Sequence, residues 1–260
     1  MPFGAKLSRC SVLYSIEKEY YMKRLNLVAM ILALGVSAVC VSCVITIIPI
    51  AGNGNIIDSE RDVAPFEKIR SSGSAKVRFH ESQEYRAVVS TDSNLDEYVV
   101  TTVNNRTLTI RTKTGHFSFT KLVVDVYCPV VTNVSISGSG SFSGDTITTP
   151  SFGVDISGSG SVNGTVECTS FSANISGSGK ITVAGNSANT NIAISGSGKY
   201  DGDQLNSNNV NINISGSGNA AVYVTNNLSA TISGSGAVYY RGSPASTNLK
   251  VSGSGRIWKR

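Results

Sequence analysis

Carboxylates, imidazoles and thiols are the groups from which this chain could build chemistry, and their spacing limits what they can do. From residue 132 onward the acids are Asp145, Asp155, Glu167, Asp201 and Asp203, and there is no histidine. Hydrolysis or elimination on a polysaccharide needs paired carboxylates for acid and base work, or a calcium-binding set of acids beside a basic residue. Asp145 and Asp155 fall in different parts of the local pattern, and Asp201 and Asp203 flank Gly202 as turn residues do. The two histidines lie earlier in the chain. His80 shares the alternation of Lys76 and Arg78 and reads as solvated, and His116 follows Gly115 in a turn. Asp92, Asp96 and Glu97 read as a solvated loop. The expectation is a non-enzyme with no catalytic residue, no metal and no cofactor.

Three further motifs bear on chemistry. Ser-Gly-Ser-Gly invites a phosphate-cradle reading, but a P-loop needs a Lys-Ser/Thr pair and a following helix, and neither is present. Asp145-Thr146-Ile147 resembles the O-glycosylation acceptor of some Gram-negative lineages and makes Thr146 a candidate modification site. Of five cysteines, Cys10 and Cys40 precede or lie in the apolar N-terminal region, and Cys43 is the lipid-acceptor candidate. Cys128 and Cys168 remain; a bridge is conceivable in an oxidising compartment, and two free thiols is the preferred reading.

The elements that would carry any of these groups come from a repeat. An aliphatic residue followed by Ser-Gly-Ser-Gly recurs with Ile136, Ile156, Ile175, Ile194, Ile214, Ile232 and Val251 in the lead, at intervals of 20, 19, 19, 20, 18 and 19. A near-constant step of this size denotes one unit stacked on copies of itself. Positions two and four before the lead are mostly apolar, as in Phe152, Val154 and Ile156, with polar residues between. Six residues after the lead comes another apolar residue: Phe142, Val162, Ile181, Tyr200, Ala220, Val238 and Ile257. This period of two is that of a strand with one buried face. It places the glycines inward and the serines outward. Recurring glycine pairs oppose a helix, and a flexible linker would not hold apolar residues at fixed offsets. The fold expected is all-β: a single-stranded parallel β-helix, or β-solenoid, with coils of about 19 residues. Whether the Gly-Ser stretch is a corner or a strand with an empty inner face stays open at this level. Trp258, among the terminal cations Arg256, Lys259 and Arg260, is expected to cover the last rung and discourage edge pairing.

Four segments follow. Residues 1–43 read as an export region. Lys23 and Arg24 precede an uncharged run from Leu25 to Ala51, and Val41-Ser42-Cys43 fits a lipoprotein signal read from Met22, with 1–21 an over-extended start. Cys40, where leucine is usual, departs from that pattern. The rival is an uncleaved spanning helix oriented by the same cations. Either way the chain is exported and tethered to a membrane, with the outer membrane of the envelope favoured. Residues 44–61 read as a tether, 62–131 as irregular N-terminal β coils and cap, and 132–260 as the regular solenoid. Removing everything before Cys43 leaves 17 basic against 15 acidic residues, so the formal charge of +5 loses most of its meaning. No basic block remains, which excludes nucleic acid as a partner.

The segment Ile69 to Val77 rhymes with the repeat as a degenerate copy. With Phe66-Glu67-Lys68-Ile69, the Ser-Gly-Ser-Ala-Lys-Val opening at 72–77, Asp92 to Leu95, Thr107-Leu108-Thr109-Ile110 and the Ile-Ser-Gly-Ser-Gly array, the chain resembles the auto-transporter adhesin family with the head GIN domain. The likeness covers about residues 62–255. It implies a β-helical, exported, often lipid-anchored protein of Gram-negative bacteria with a role labelled adhesion, and it supplies no catalytic residues. Two functions stay open. One is a rigid envelope scaffold or adhesin. The other is a carbohydrate- or small-ligand-binding protein, for which Tyr223, Tyr239 and Tyr240 are the candidate outward aromatics in the array. The partner classes are a glycan or a surface protein.

Overall fold

A computed structural model describes residues 48–260; the export segment, with Cys43 and the choice between lipid anchor and spanning helix, lies outside the described residues. No helix among the described residues is long and apolar enough to cross a membrane.

The chain opens with β1 (Ile50–Ala51), β2 (Ile56–Asp62), β3 (Lys68–Gly73), β4 (Lys76–Glu81) and β5 (Arg86–Asp92). A 3-10 turn (Asp96–Tyr98) leads to β6 (Val99–Asn104), β7 (Thr107–Thr112), β8 (Phe117–Ser118) and β9 (Leu122–Cys128). The coils then begin with β10 (Asn133–Gly138), β11 (Ser141–Gly144), β12 (Ile147–Gly158), β13 (Ser161–Gly177), β14 (Lys180–Gly196), β15 (Lys199–Gly216) and β16 (Asn219–Gly234). They end with β17 (Ala237–Arg241), β18 (Ser246–Ser252) and β19 (Arg256–Lys259).

Every pairing from β10 onward is parallel, and the repeat leads stack in register: Ile136 on Ile156, then Ile175, Ile194, Ile214, Ile232 and Val251. The fold is the expected β-solenoid with one coil per repeat. The alternation has the inferred sense. Phe152, Val154 and Ile156 are buried, as are Phe171, Ala173 and Ile175 in the next coil, and Val162, Ile181, Tyr200, Ala220 and Val238 fill the second wall. Phe152 and Phe171 stack inside the bore at 5.9 Å.

The Gly-Ser stretch is a true corner. Gly177 has φ of 125°, and a Cβ on it would lie 2.6 Å from the Gly158 carbonyl oxygen of the coil below. Only glycine fits that left-handed, closely stacked position. Repeat-length variation is absorbed elsewhere, in the bulge that carries Asp203 and where the β15–β16 register slips between Gly202 and Asn206.

The N-terminal region is a closing cap. β3 and β4 form a coil in register with β10 and β11, and β7 and β9 lie parallel beneath them. In the degenerate copy Ser71 takes the lead position and stacks on Ile136, and its buried hydroxyl has no hydrogen-bond partner among the described residues. Antiparallel strands finish the end: β6 on β7, β5 on β9, and β2 on β5. The tether expected over 44–61 is therefore not all linker, since Ile56–Asp62 is a strand of the sheet. Its charges obscured the weak alternation of Ile57, Ser59 and Arg61.

Trp258 does not cover the last rung as expected; the ring turns outward and stacks on Tyr239 at 4.9 Å and 9°. Leu249 and Val251 are left 40% and 45% exposed.

Candidate functional site

The residues just before and after each lead point outward, so stacking turns them into rows. One row is Ser137, Ser157, Ser176, Ser195, Ser215 and Ser233, all exposed. The parallel row is Ser135, Asp155, Asn174, Ala193, Asn213 and Thr231. Together they line a groove of ≈ 610 Å³ along the solenoid, with Arg70 at its cap end. Five coil steps at about 4.8 Å make the serine row roughly 24 Å long.

Amide ladders run on other outward rows. Asn209 Nδ2 donates to Asn189 Oδ1 at 3.0 Å, and Asn227 Nδ2 donates to Asn209 Oδ1 at 2.7 Å, beside a separate groove that these three residues line. Asn206 donates to Asn186 at 3.1 Å, and Asn186 in turn to the Glu167 carboxylate at 3.0 Å. These bonds hold side chains on exposed strands in one rotamer, so a partner finds those rows already ordered. The serine groove offers hydroxyls at the strand repeat, with little charge, and most of its accessible lining is apolar.

Three of the acids from the regular coils are engaged by neighbouring groups. Asp155 accepts hydrogen bonds from Asn174 at 2.9 Å and Asn133 at 3.0 Å, as one rung of the polar face. Asp145 accepts from the Glu81 backbone N–H in the turn before β12. Asp203 lies in the β15 bulge, not a free turn. It pairs with Arg241 at 3.7 Å and Arg260 at 3.2 Å, tying the last coils back to an earlier one. Among the described residues no three His, Cys, Asp or Glu side chains converge as a metal site.

Two expectations in the cap need correction. Asp92 does not sit in a solvated loop. Its carboxylate is buried and accepts the Gly54 and Thr120 N–H groups at 2.8 Å each. Burial by itself would raise it, but those backbone donors hold it below the usual carboxylate range. Asp96 is ion-paired to Arg61 at 2.7 Å. His80 is not merely solvated: Nε2 lies 2.8 Å from Asp125 Oδ1, and the ring stacks on Tyr127 at 4.8 Å. Arg78 binds the other Asp125 oxygen. Against the burial that would raise it, hydrogen bonds from Arg78 and His80 hold the Asp125 carboxyl low. Sequence reasoning missed Asp125; its place between two valines in a strand was the available signal.

Thr146 is exposed between β11 and β12. Cys128 and Cys168 are free thiols. Burial pushes Cys128 up to about 12 and raises Cys168 as well, so neither is a ready nucleophile. Of the three tyrosines, Tyr240 packs against the core, whereas Tyr239 joins Trp258 outside, with the Arg260 guanidinium 4.2 Å from the Tyr239 ring centroid.

A family model described as "Putative auto-transporter adhesin, head GIN domain" matches residues 65–244. The chain is similar to the crystal structure of a "putative adhesin" from Bacteroides fragilis NCTC 9343, at TM-score 0.77 and 21% identity, over 81% of this chain and 100% of that one. A "putative lipid binding protein" from Parabacteroides distasonis ATCC 8503 matches at TM-score 0.68 and 26% identity, over 82% and 100%. A "putative adhesin" from Parabacteroides merdae ATCC 43184 matches at 0.66 and 23%, over 81% and 98%. Among curated proteins no relative matches.

Proposed function

Because the chain belongs to the auto-transporter adhesin family with the head GIN domain, we propose that it is a non-catalytic, adhesin-like protein of the cell envelope that meets its partner through the serine and asparagine face. The observation that carries this is the row of six exposed serines and its flanking amides, repeated at the strand spacing over a continuous rod. Such a lattice contacts an extended, repetitive partner at many points, each weak and together strong. Sugar hydroxyls match those donors and acceptors, so a glycan is the favoured class, with a surface protein as the alternative.

Binding to glycan and matrix-protein arrays tests the proposal. Ser176→Arg with Ser195→Arg should abolish capture while leaving the melting temperature near that of the parent, since both side chains already face solvent. Capture that survives the double variant would remove this face from the function.

We also assign Cys43 as a lipid anchor and Thr146 as an O-glycan acceptor, from their sequence context. Cys43→Ser should move the protein from the membrane to the soluble fraction. Full retention in the membrane would favour a spanning helix.

A further inference from the structure

The two ends of the rod differ in what they leave unpaired. At the C-terminal end, among the described residues, β18 pairs only with β16, and β19 only with β17. Each therefore presents free backbone N–H and C=O groups, beside the exposed Leu249, Val251 and Trp258. Charge there has one sign. After Asp203 the chain has no acid, while Arg241, Lys250, Arg256, Lys259 and Arg260 are all basic.

At the cap, among the described residues, β2 pairs only with β5. Its outward side chains include Asp58, Glu60 and Asp62, and Ile57 has the inward parity. β2 and β19 are opposite edges of one sheet. The pairings run from β2 through β5, β9, β4, β11, β13, β14, β15, β16 and β17 to β19. Two antiparallel steps cancel, so β2 and β19 point the same way.

We propose that the C-terminal edge of one molecule adds to the β2 edge of a second copy, head to tail, continuing the sheet from one rod into the next. The pairing is parallel, as in the solenoid itself. With Ile257 set beside Ile57, side-chain parity is kept, Lys259 falls beside Ser59, and Arg260 falls beside Glu60. Tail-to-tail pairing is disfavoured, because it would crowd the terminal cations against each other with no acid to offset them. A head-to-tail contact is heterologous and does not close by symmetry, so its product is a chain of rods. This assembly is independent of what the serine face binds.

The experiment uses the full chain in detergent, followed by sedimentation velocity across a concentration series and by negative-stain imaging. The expected result is a ladder of end-to-end species whose lengths grow with concentration. Trp258→Asp blocks the tail by setting a carboxylate beside Asp58, and Glu60→Lys with Asp62→Lys blocks the cap. All three side chains are solvent-exposed, so the fold should survive, and circular dichroism checks it. Each blocked variant alone should associate at least about tenfold more weakly. Mixed together they should give a dimer and nothing longer, since one good tail meets one good cap. Monomers throughout for the parent, chains insensitive to both variants, or a closed dimer lost only in the tail variant would each overturn the proposal.

Discussion

Gly179 and Gly164 are the same residue type under different constraints. A Cβ on Gly179 would lie 2.5 Å from Ile156 Cγ2 and 3.0 Å from the Gly160 carbonyl oxygen of the preceding coil; a Cβ on Gly164 would meet nothing within 4 Å. Gly179→Ala should therefore lose about 1–3 kcal/mol through overpacking. Gly164→Ala should stay within about 0.5 kcal/mol of the parent. Urea midpoints decide it, and equal losses would mean that close coil stacking does not set the need for glycine. Asp125 is a second residue-scale case. Its carboxyl is held below the ordinary value, so the unfolded chain binds the proton more readily. The stability it contributes is present above about pH 4 and is lost as pH falls through the lower folded value. With Arg78 half exposed, Asp125→Asn should cost about 1–2 kcal/mol at pH 7 and flatten the acid limb of the stability curve. An unchanged limb in urea titrations from neutral to acid pH would show that the cap does not depend on this ion cluster.

Strands β12 to β16 were legible from alternation alone, because each inward side chain meets the same position of the next coil. Ile194 is buried between Ile175 and Ile214. Ile194→Asp would place an unpaired carboxylate there, at a cost of several kcal/mol. It should yield insoluble or unfolded protein, visible as loss of the β signal in circular dichroism; a soluble, stable variant would contradict the dry bore. Other elements were hidden. β2 carries three acids among seven residues, and only its antiparallel partner β5 makes it a strand. Ser71 stands where the repeat has isoleucine, so the first coil lacks the aliphatic lead that marks the others. The serine row was legible as an outward parity, but the groove it lines was not, since that depends on coils lying side by side.

For the whole molecule, the sequence by itself determined the solenoid, the coil length and the inward set. Those properties follow from a periodicity that each coil imposes on the next. Only the tertiary structure decided how the N-terminal strands close the cap, and what the isolated charges do. Asp92, Asp125 and Asp203 draw their partners from residues 38, 47 and 57 positions away, among others. The outward turn of Trp258 depends on Tyr239 one coil below. A repeat specifies contacts between equivalent positions; caps, ends and ion clusters join unlike positions, and no period in the chain encodes them.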